Sequence, residues 1–152
     1  MATTCTSSTV WKGALQDGQG LVFLRSSGVA AYPVSWRGRE QESSGATSPE
    51  ELIAAAHSSC YCMTLSQALT EAGTPPLSLS ARADVTFHPG VGITGVALTI
   101  SGTVPGVSVE SFTAAAENAK RNCPVSHALA AVPITLIVNP SDLTLTPAHP
   151  AA

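Results

Sequence analysis

The segment from Glu51 to Leu69, ELIAAAHSSCYCMTLSQAL, constrains the possible folds of this chain more than any other. It is long, rich in Ala, Leu, Ile and Met, and apolar on nearly every side when wound as a helix. Such a helix must be covered by other elements, so it belongs at the centre of a fold and not on its surface. Its ends are marked in the sequence. Ser48 fits the N-cap, Pro49 fits the first helical position, and Glu51 completes a capping box three residues after Ser48. The pattern predicts a helix running to Glu71 or Ala72, with Gly73 as its terminator.

The flanking segments supply the cover. TVWKGAL, LVFLRSS and AAYPVSW are short strand-like runs separated by Gly-containing turns, which predicts a meander or hairpin set. RGREQESSGAT is polar and reads as a loop. LSLSARADVTFH alternates and pairs with VGITGVALTISGTV as a second hairpin. SVESFTAAAENAKRN reads as an amphipathic helix capped by Ser108, and CPVSHALA as a new short helix with Pro124 at its first position. ITLIV is a final strand. No repeat of fixed period is present. Strands followed by a helix occur twice, which points to an α+β fold and not to alternating βαβ units. A chain of 152 residues suits one domain with one core. The expected layout is an N-terminal tail at 1–8, a single domain at 9–138 and a loose tail at 139–152.

Only 11% of the residues are charged, against ~25% in typical soluble domains. So few charges leave apolar surface to cover, which points to an oligomer interface. A net charge of −3 gives no nucleic-acid footprint. No apolar run has the length of a membrane span. The opening MATTCTSSTVWKG lacks the basic end and apolar block of a signal peptide, so a cytoplasmic location is expected. There the four cysteines rest as thiols, which favours redox, metal or packing roles over a disulfide scaffold.

On a helix, Cys60 and Cys62 lie about 200° apart and cannot share a metal ion. Cys62 reads as packing, and Cys5 falls in the N-terminal tail. Cys123 stands at a helix N-cap, where free amides and the dipole favour a thiolate. Cys60 has no such help: in apolar surroundings its pKa should rise, so reactivity there requires a cation from elsewhere. Arg37 and Arg39 precede the helix, and Glu50 in its first turn can hold one of them in a bidentate pair. His57 lies one turn before Cys60, which leaves a Cys–His nucleophile pair conceivable. His127 lies one turn after Cys123, and a hydrogen-bonded core role is the plainer reading of both histidines. GVGITG has no following helix and is no phosphate loop.

TSPEELIAAAHSSCYCM followed much later by NCPVSHAL resembles the OsmC/Ohr family of osmotically induced and organic hydroperoxide resistance proteins. ESSGATSPEELIAAAHSSC and VPGVSVESF place the likeness nearer the OsmC branch, and it spans roughly Val10 to Val138. The resemblance implies an OsmC-like fold, with antiparallel sheets around two central helices, in an interlocked homodimer whose sites use residues of both chains. It implies a cysteine-based peroxidase with Cys60 as the peroxidatic and Cys123 as the resolving cysteine. Glu50 is then the acid that holds the active-site arginine. Arg39, three residues after Trp36, matches that arginine, and Arg37 stands in reserve. No metal or organic cofactor is implied, only a hydroperoxide substrate and an external dithiol reductant of lipoyl or thioredoxin type. Two other classes remain on the residues alone. One is a non-catalytic dimeric stress or binding protein with packing cysteines, the other a Cys–His acyl hydrolase using Cys60 and His57.

Overall fold

The computed structural model describes residues 1–40 and 44–145. Residues 41–43 of the expected polar loop, and 146–152 of the expected tail, lie outside the described residues. The chain divides into two compact units, residues 1–52 and 53–152.

In the first unit, β1 (Ser7–Lys12), β2 (Gln19–Leu24) and β3 (Ala31–Ser35) form the expected antiparallel meander in the order β1-β2-β3. Val22 and Val34 are its buried side chains. The segment after β3 departs from expectation. Trp36–Glu40 is a short helix, α1, and not a loop. Ser35 starts it, because its hydroxyl accepts the Gly38 amide at 3.1 Å in the manner of an N-cap. Gly38 is required there: a Cβ would come within 2.6 Å of the Thr47 carbonyl oxygen. The returning strand residue Thr47 donates its amide to Pro33 O at 2.8 Å. This closes the loop that carries Arg37 and Arg39.

The long helix α2 covers Pro49–Glu71. Ser48 caps it through the Glu51 amide at 3.1 Å. The Glu51 carboxylate does not complete a capping box with the Ser48 amide; it accepts from the Thr47 hydroxyl at 2.6 Å. At the other end Gly73 has φ 81°, Thr74 N donates to Leu69 O and Gly73 N to Thr70 O. Those paired bonds form a Schellman stop, which needs the left-handed conformation that glycine adopts without penalty.

In the second unit β4 (Ser78–His88) pairs antiparallel with β5 (Gly92–Thr103), as the alternation predicts. Helix α3 (Val109–Asn122) is capped by Ser108, whose hydroxyl accepts the Ser111 amide. Helix α4 (Pro124–Ala128) follows with Pro124 in its first turn. Strand β6 (Ile134–Thr144) then pairs parallel with β5, so this sheet is mixed and not antiparallel as expected. The reason is the connection: a parallel neighbour needs a crossover, and α3 with α4 provides one. The strand expected to stop at Val138 continues to Thr144, resuming register at Gly102 with Leu143 after a shift. Leu143 and Leu145 pack against the core, so the tail expected from 139 is in part a paired strand.

One cluster fills this unit. Helix α2 gives it Tyr61, Leu65 and Leu69 at four-residue spacing, and α3 gives Phe112, Ala116 and Ala119. Strand β5 adds Leu98 and Ile100 at the two-residue spacing of one sheet face. The buried Tyr61 hydroxyl donates to Ala116 O at 3.0 Å, so α2 and α3 share a satisfied polar contact inside the apolar layer. Cys123 belongs to the cluster and Cys60 packs against it. Truncating one of the large members to Ala would cost about 2–5 kcal/mol.

Candidate active site

The second unit brings Cys60 and Cys123 together. Cys60 projects from the middle of α2, half-buried, and Cys123 is the fully buried residue between α3 and α4. All four cysteines are free thiols. Cys60 packs against the cluster that holds Cys123, close enough for Cys123 to act on its thiol. Burial pushes the Cys60 thiol up from its ordinary value, the Val125 amide pulls it down, and Cys123 pushes it up again as neighbour and charge. The Thr64 hydroxyl pulls it down, and the sum of these influences is a raised pKa. None of these groups carries positive charge.

The Val125 contact corrects the sequence reading of the helix terminus. Cys123 is the N-cap of α4, but its side chain makes no capping hydrogen bond. Its thiol lies in the apolar cluster, and it is the Cys60 thiol whose pKa the first-turn Val125 amide of α4 lowers. The short helix therefore serves the cysteine on α2. Val125 could not have been found from the sequence, because nothing in PVSHAL tells which sulfur its amides face.

The neighbouring cysteine is separate. Cys62 turns to β4, where the Ala81 amide approaches its sulfur, and burial pushes its thiol up. It lines an open cavity of about 750 Å³ with Met63, Pro76 and Leu79. Cys60 and Cys62 thus face different elements, as the helical angle requires. Among the described residues no group of three or more His, Cys, Asp or Glu gathers as a metal site.

The Nε2 atoms of both histidines are engaged by groups other than a cysteine. His57 is 0% exposed, and its Nε2 meets Ser126 Oγ at 2.8 Å. Burial lowers its pKa, so the ring is neutral near pH 7. His127 Nε2 meets Arg121 O at 2.6 Å, closing the end of α3. Ser126 was not singled out by the sequence; a lone Ser in a five-residue helix carries no signal by itself.

In the first unit Arg39 and Glu50 form a bidentate ion pair. Arg39 Nε donates to Glu50 Oε2 at 3.0 Å, and Nη2 lies 2.9 Å from Oε1. The guanidinium also lies over the Trp36 ring, 5.2 Å from its centroid. Glu50 is buried in the first turn of α2, where a carboxylate is favoured by the free amides and dipole. Pairing and stacking together fix the plane of the fork. Arg37, the reserve candidate, is exposed and lines a different cavity, with Asp17 and Ser44.

The family model described as OsmC-like protein matches residues 41–137. Peroxiredoxin OsmC of Escherichia coli strain K12 is 39% identical over 124 residues, covering 80% of this chain and 86% of that protein. Peroxiredoxin OsmC of Shigella flexneri matches to the same extent. The crystal structure of an organic hydroperoxide resistance protein OsmC from Legionella pneumophila superposes with TM-score 0.69 at 23% identity, covering 88% of this chain and 96% of that one. Bacillus subtilis OhrB gives TM-score 0.61 at 19% identity, covering 88% and 98%. The family model and the relatives together show that the chain belongs to the OsmC-like family.

Proposed function

We propose that this protein is a cysteine-based peroxidase that reduces organic hydroperoxides, and hydrogen peroxide, at the expense of an external dithiol in oxidative or osmotic stress defence. The observation that carries the reading is the contact between Cys60 and Cys123 inside an otherwise apolar cluster. The likeness to peroxiredoxin OsmC supports the same chemistry.

The cycle balances with no cofactor. The Cys60 thiolate attacks the outer oxygen of the hydroperoxide, the O–O bond breaks, and the alkoxide leaves and takes a proton. Cys60 becomes a sulfenic acid. The Cys123 sulfur attacks it, expelling water and forming the disulfide. A dithiol, of lipoyl or thioredoxin type, then exchanges with the disulfide and is itself oxidised.

Arg39 is assigned the cation that Cys60 lacks among its own neighbours, and Glu50 the acid that orients it. In this reading the protein is a homodimer and each site draws on both chains. Met63, 72% exposed on a helix poor in charge, supports burial of that face in a dimer. Ionisation alone is a small gain: a thiol of pKa ~8.5 is roughly 3% ionised at pH 7, so full ionisation is worth about thirtyfold. Enzymatic accelerations begin near a millionfold. Most of the rate must come from orienting the O–O bond and stabilising the departing alkoxide, a task suited to a fixed guanidinium.

The acyl hydrolase alternative gains no support from the geometry, because His57 Nε2 meets Ser126 Oγ and not a cysteine. The test of the peroxidase reading is consumption of cumene hydroperoxide and hydrogen peroxide with lipoyl, thioredoxin and glutathione reductants side by side. Turnover is expected with a dithiol and is expected to vanish in Cys60→Ser. Equal turnover in that variant would overturn the reading.

A further inference from the structure

The cycle needs Cys123 to reach the sulfenic acid before a second hydroperoxide does. What holds α4 against α2 at that moment is therefore a chemical question. Helix α4 is only five residues long, Pro124–Ala128, and too short to hold itself in place by backbone bonds alone. His57 precedes Cys60 by three residues on α2, and Ser126 follows Cys123 by three on α4. Their hydrogen bond, Nε2 to Oγ at 2.8 Å, is wholly buried, with His57 0% and Ser126 6% exposed. Apart from the contacts of the Cys60 sulfur, it is the side-chain hydrogen bond that joins α2 to α4 among the described residues.

The other ring nitrogen has a diagnostic position. His57 Nδ1 is buried and has no partner among the described residues. An orphaned buried N–H is rarer than an orphaned acceptor. The favoured tautomer therefore carries its proton on Nε2 and donates it to Ser126, leaving Nδ1 as the bare acceptor. The polar edge of the ring is thus used for a single bond, and that bond reaches the helix that follows Cys123 and bears Val125.

We infer that His57 and Ser126 form a positioning latch that holds α4, and with it Cys123 and the Val125 amide, against the Cys60 sulfur, so that sulfenic acid is resolved to disulfide before it is overoxidised. The inference rests on the Cys60–Cys123 reading above. Neither residue touches the hydroperoxide. The latch acts on a competition: the Cys60 sulfenate either loses its hydroxyl to the Cys123 sulfur as water, or attacks a second hydroperoxide to give sulfinate and a second alcohol. Loosening α4 slows the first path and leaves the second available.

The experiment treats fully reduced wild type, His57→Leu, Ser126→Ala and His57→Gln with a graded excess of cumene hydroperoxide. The ratio of Cys60–Cys123 disulfide to Cys60 sulfinic acid is read by mass spectrometry. Positioning losses in active sites reach about a hundredfold for an ångström of misplacement, so a fall of about tenfold is expected in His57→Leu and Ser126→Ala. Their double variant should be no worse than either single one, since both remove one bond. His57→Gln, which can present an N–H near the same place, should restore much of the ratio. A merely structural contribution would lower melting temperature in all variants without moving this ratio. Ser126→Ala removes one oxygen and keeps the helix, so it reports even where His57→Leu folds poorly. Wild-type protein that forms no Cys60–Cys123 disulfide overturns the reading of the site and the latch together. Wild type that forms it, with Ser126→Ala partitioning identically, overturns the latch alone.

Discussion

The Val125 amide pulls the pKa of the Cys60 thiol down, although Cys123 is the residue that caps the helix to which Val125 belongs. One amide cannot outweigh burial, and the Cys60 thiol is raised by its own neighbours. With Arg39 in its proposed role, the midpoint of Cys60 alkylation by iodoacetamide should lie below the ordinary thiol value of 9.0 in the wild-type protein. In Arg39→Gln the effect of burial should be uncovered, moving the midpoint above 9.0. Peptide-resolved alkylation against pH measures both. Identical midpoints in the two proteins would remove Arg39 from the role.

Arg39 and Glu50 share two bonds, and that geometry is what a lysine cannot reproduce. Arg39→Lys is expected to lose most hydroperoxide turnover, since an ammonium lacks the planar fork. Glu50→Gln keeps the volume but weakens the grip, and a displaced guanidinium costs up to about a hundredfold in kcat/KM. Arg37→Lys, at an exposed position, should stay near wild type. A normal Arg39→Lys enzyme paired with a crippled Arg37→Lys enzyme would transfer the role to the reserve arginine.

Much of this was legible in the residues. Ser48, Pro49 and Gly73 bracket α2 because caps and terminators act locally. The β4–β5 hairpin follows from alternation and its glycine turn. What escaped was set by distant packing. The parallel pairing of β6 depends on where the α3–α4 crossover returns, which PITLIV does not encode. The helix Trp36–Glu40 hides in a polar stretch because its start depends on a single hydroxyl, Ser35. The cysteines of the second unit and the Arg39–Glu50 pair of the first are chemically conspicuous residue types. Val125 and Ser126 act through a backbone amide and a common hydroxyl, which leave no compositional mark.

The buried His57 ties stability to pH. Its folded pKa is lowered by burial below the ordinary 6.5, so the unfolded chain binds more protons once the pH falls towards that value. Stability therefore rises with pH across this window and is lost as pH falls below about 6.5. Urea unfolding of wild type and His57→Gln at pH 7.5 and pH 5 should show the steeper acid loss in wild type. Parallel losses in the two proteins would mean that His57 is protonated in the folded state at no cost.

Cys62 sits one position past Tyr61 and faces Ala81 of β4, away from the Cys60–Cys123 contact. Cys62→Ala should leave peroxide turnover near wild type and cost about 1 kcal/mol in stability for the lost sulfur packing. Steady-state kinetics and thermal melting of the variant check both. A large fall in turnover without loss of fold would give Cys62 a part in the thiol chemistry.

The contact between Cys60 and Cys123 has the most direct consequence. One equivalent of cumene hydroperoxide should convert the reduced protein to a single species with those two residues linked and Cys62 still alkylatable after unfolding. In Cys123→Ser the same equivalent should stop at sulfenic acid on Cys60, trapped by dimedone, and further equivalents should carry it to sulfinic acid. Turnover with a dithiol should then fall sharply, because no internal sulfur expels the hydroxyl before a second oxidant arrives. Mapping the oxidised peptides decides the matter. Cys60 overoxidised in wild type, with Cys123 untouched, would show that the two sulfurs meet in the fold without meeting in the reaction.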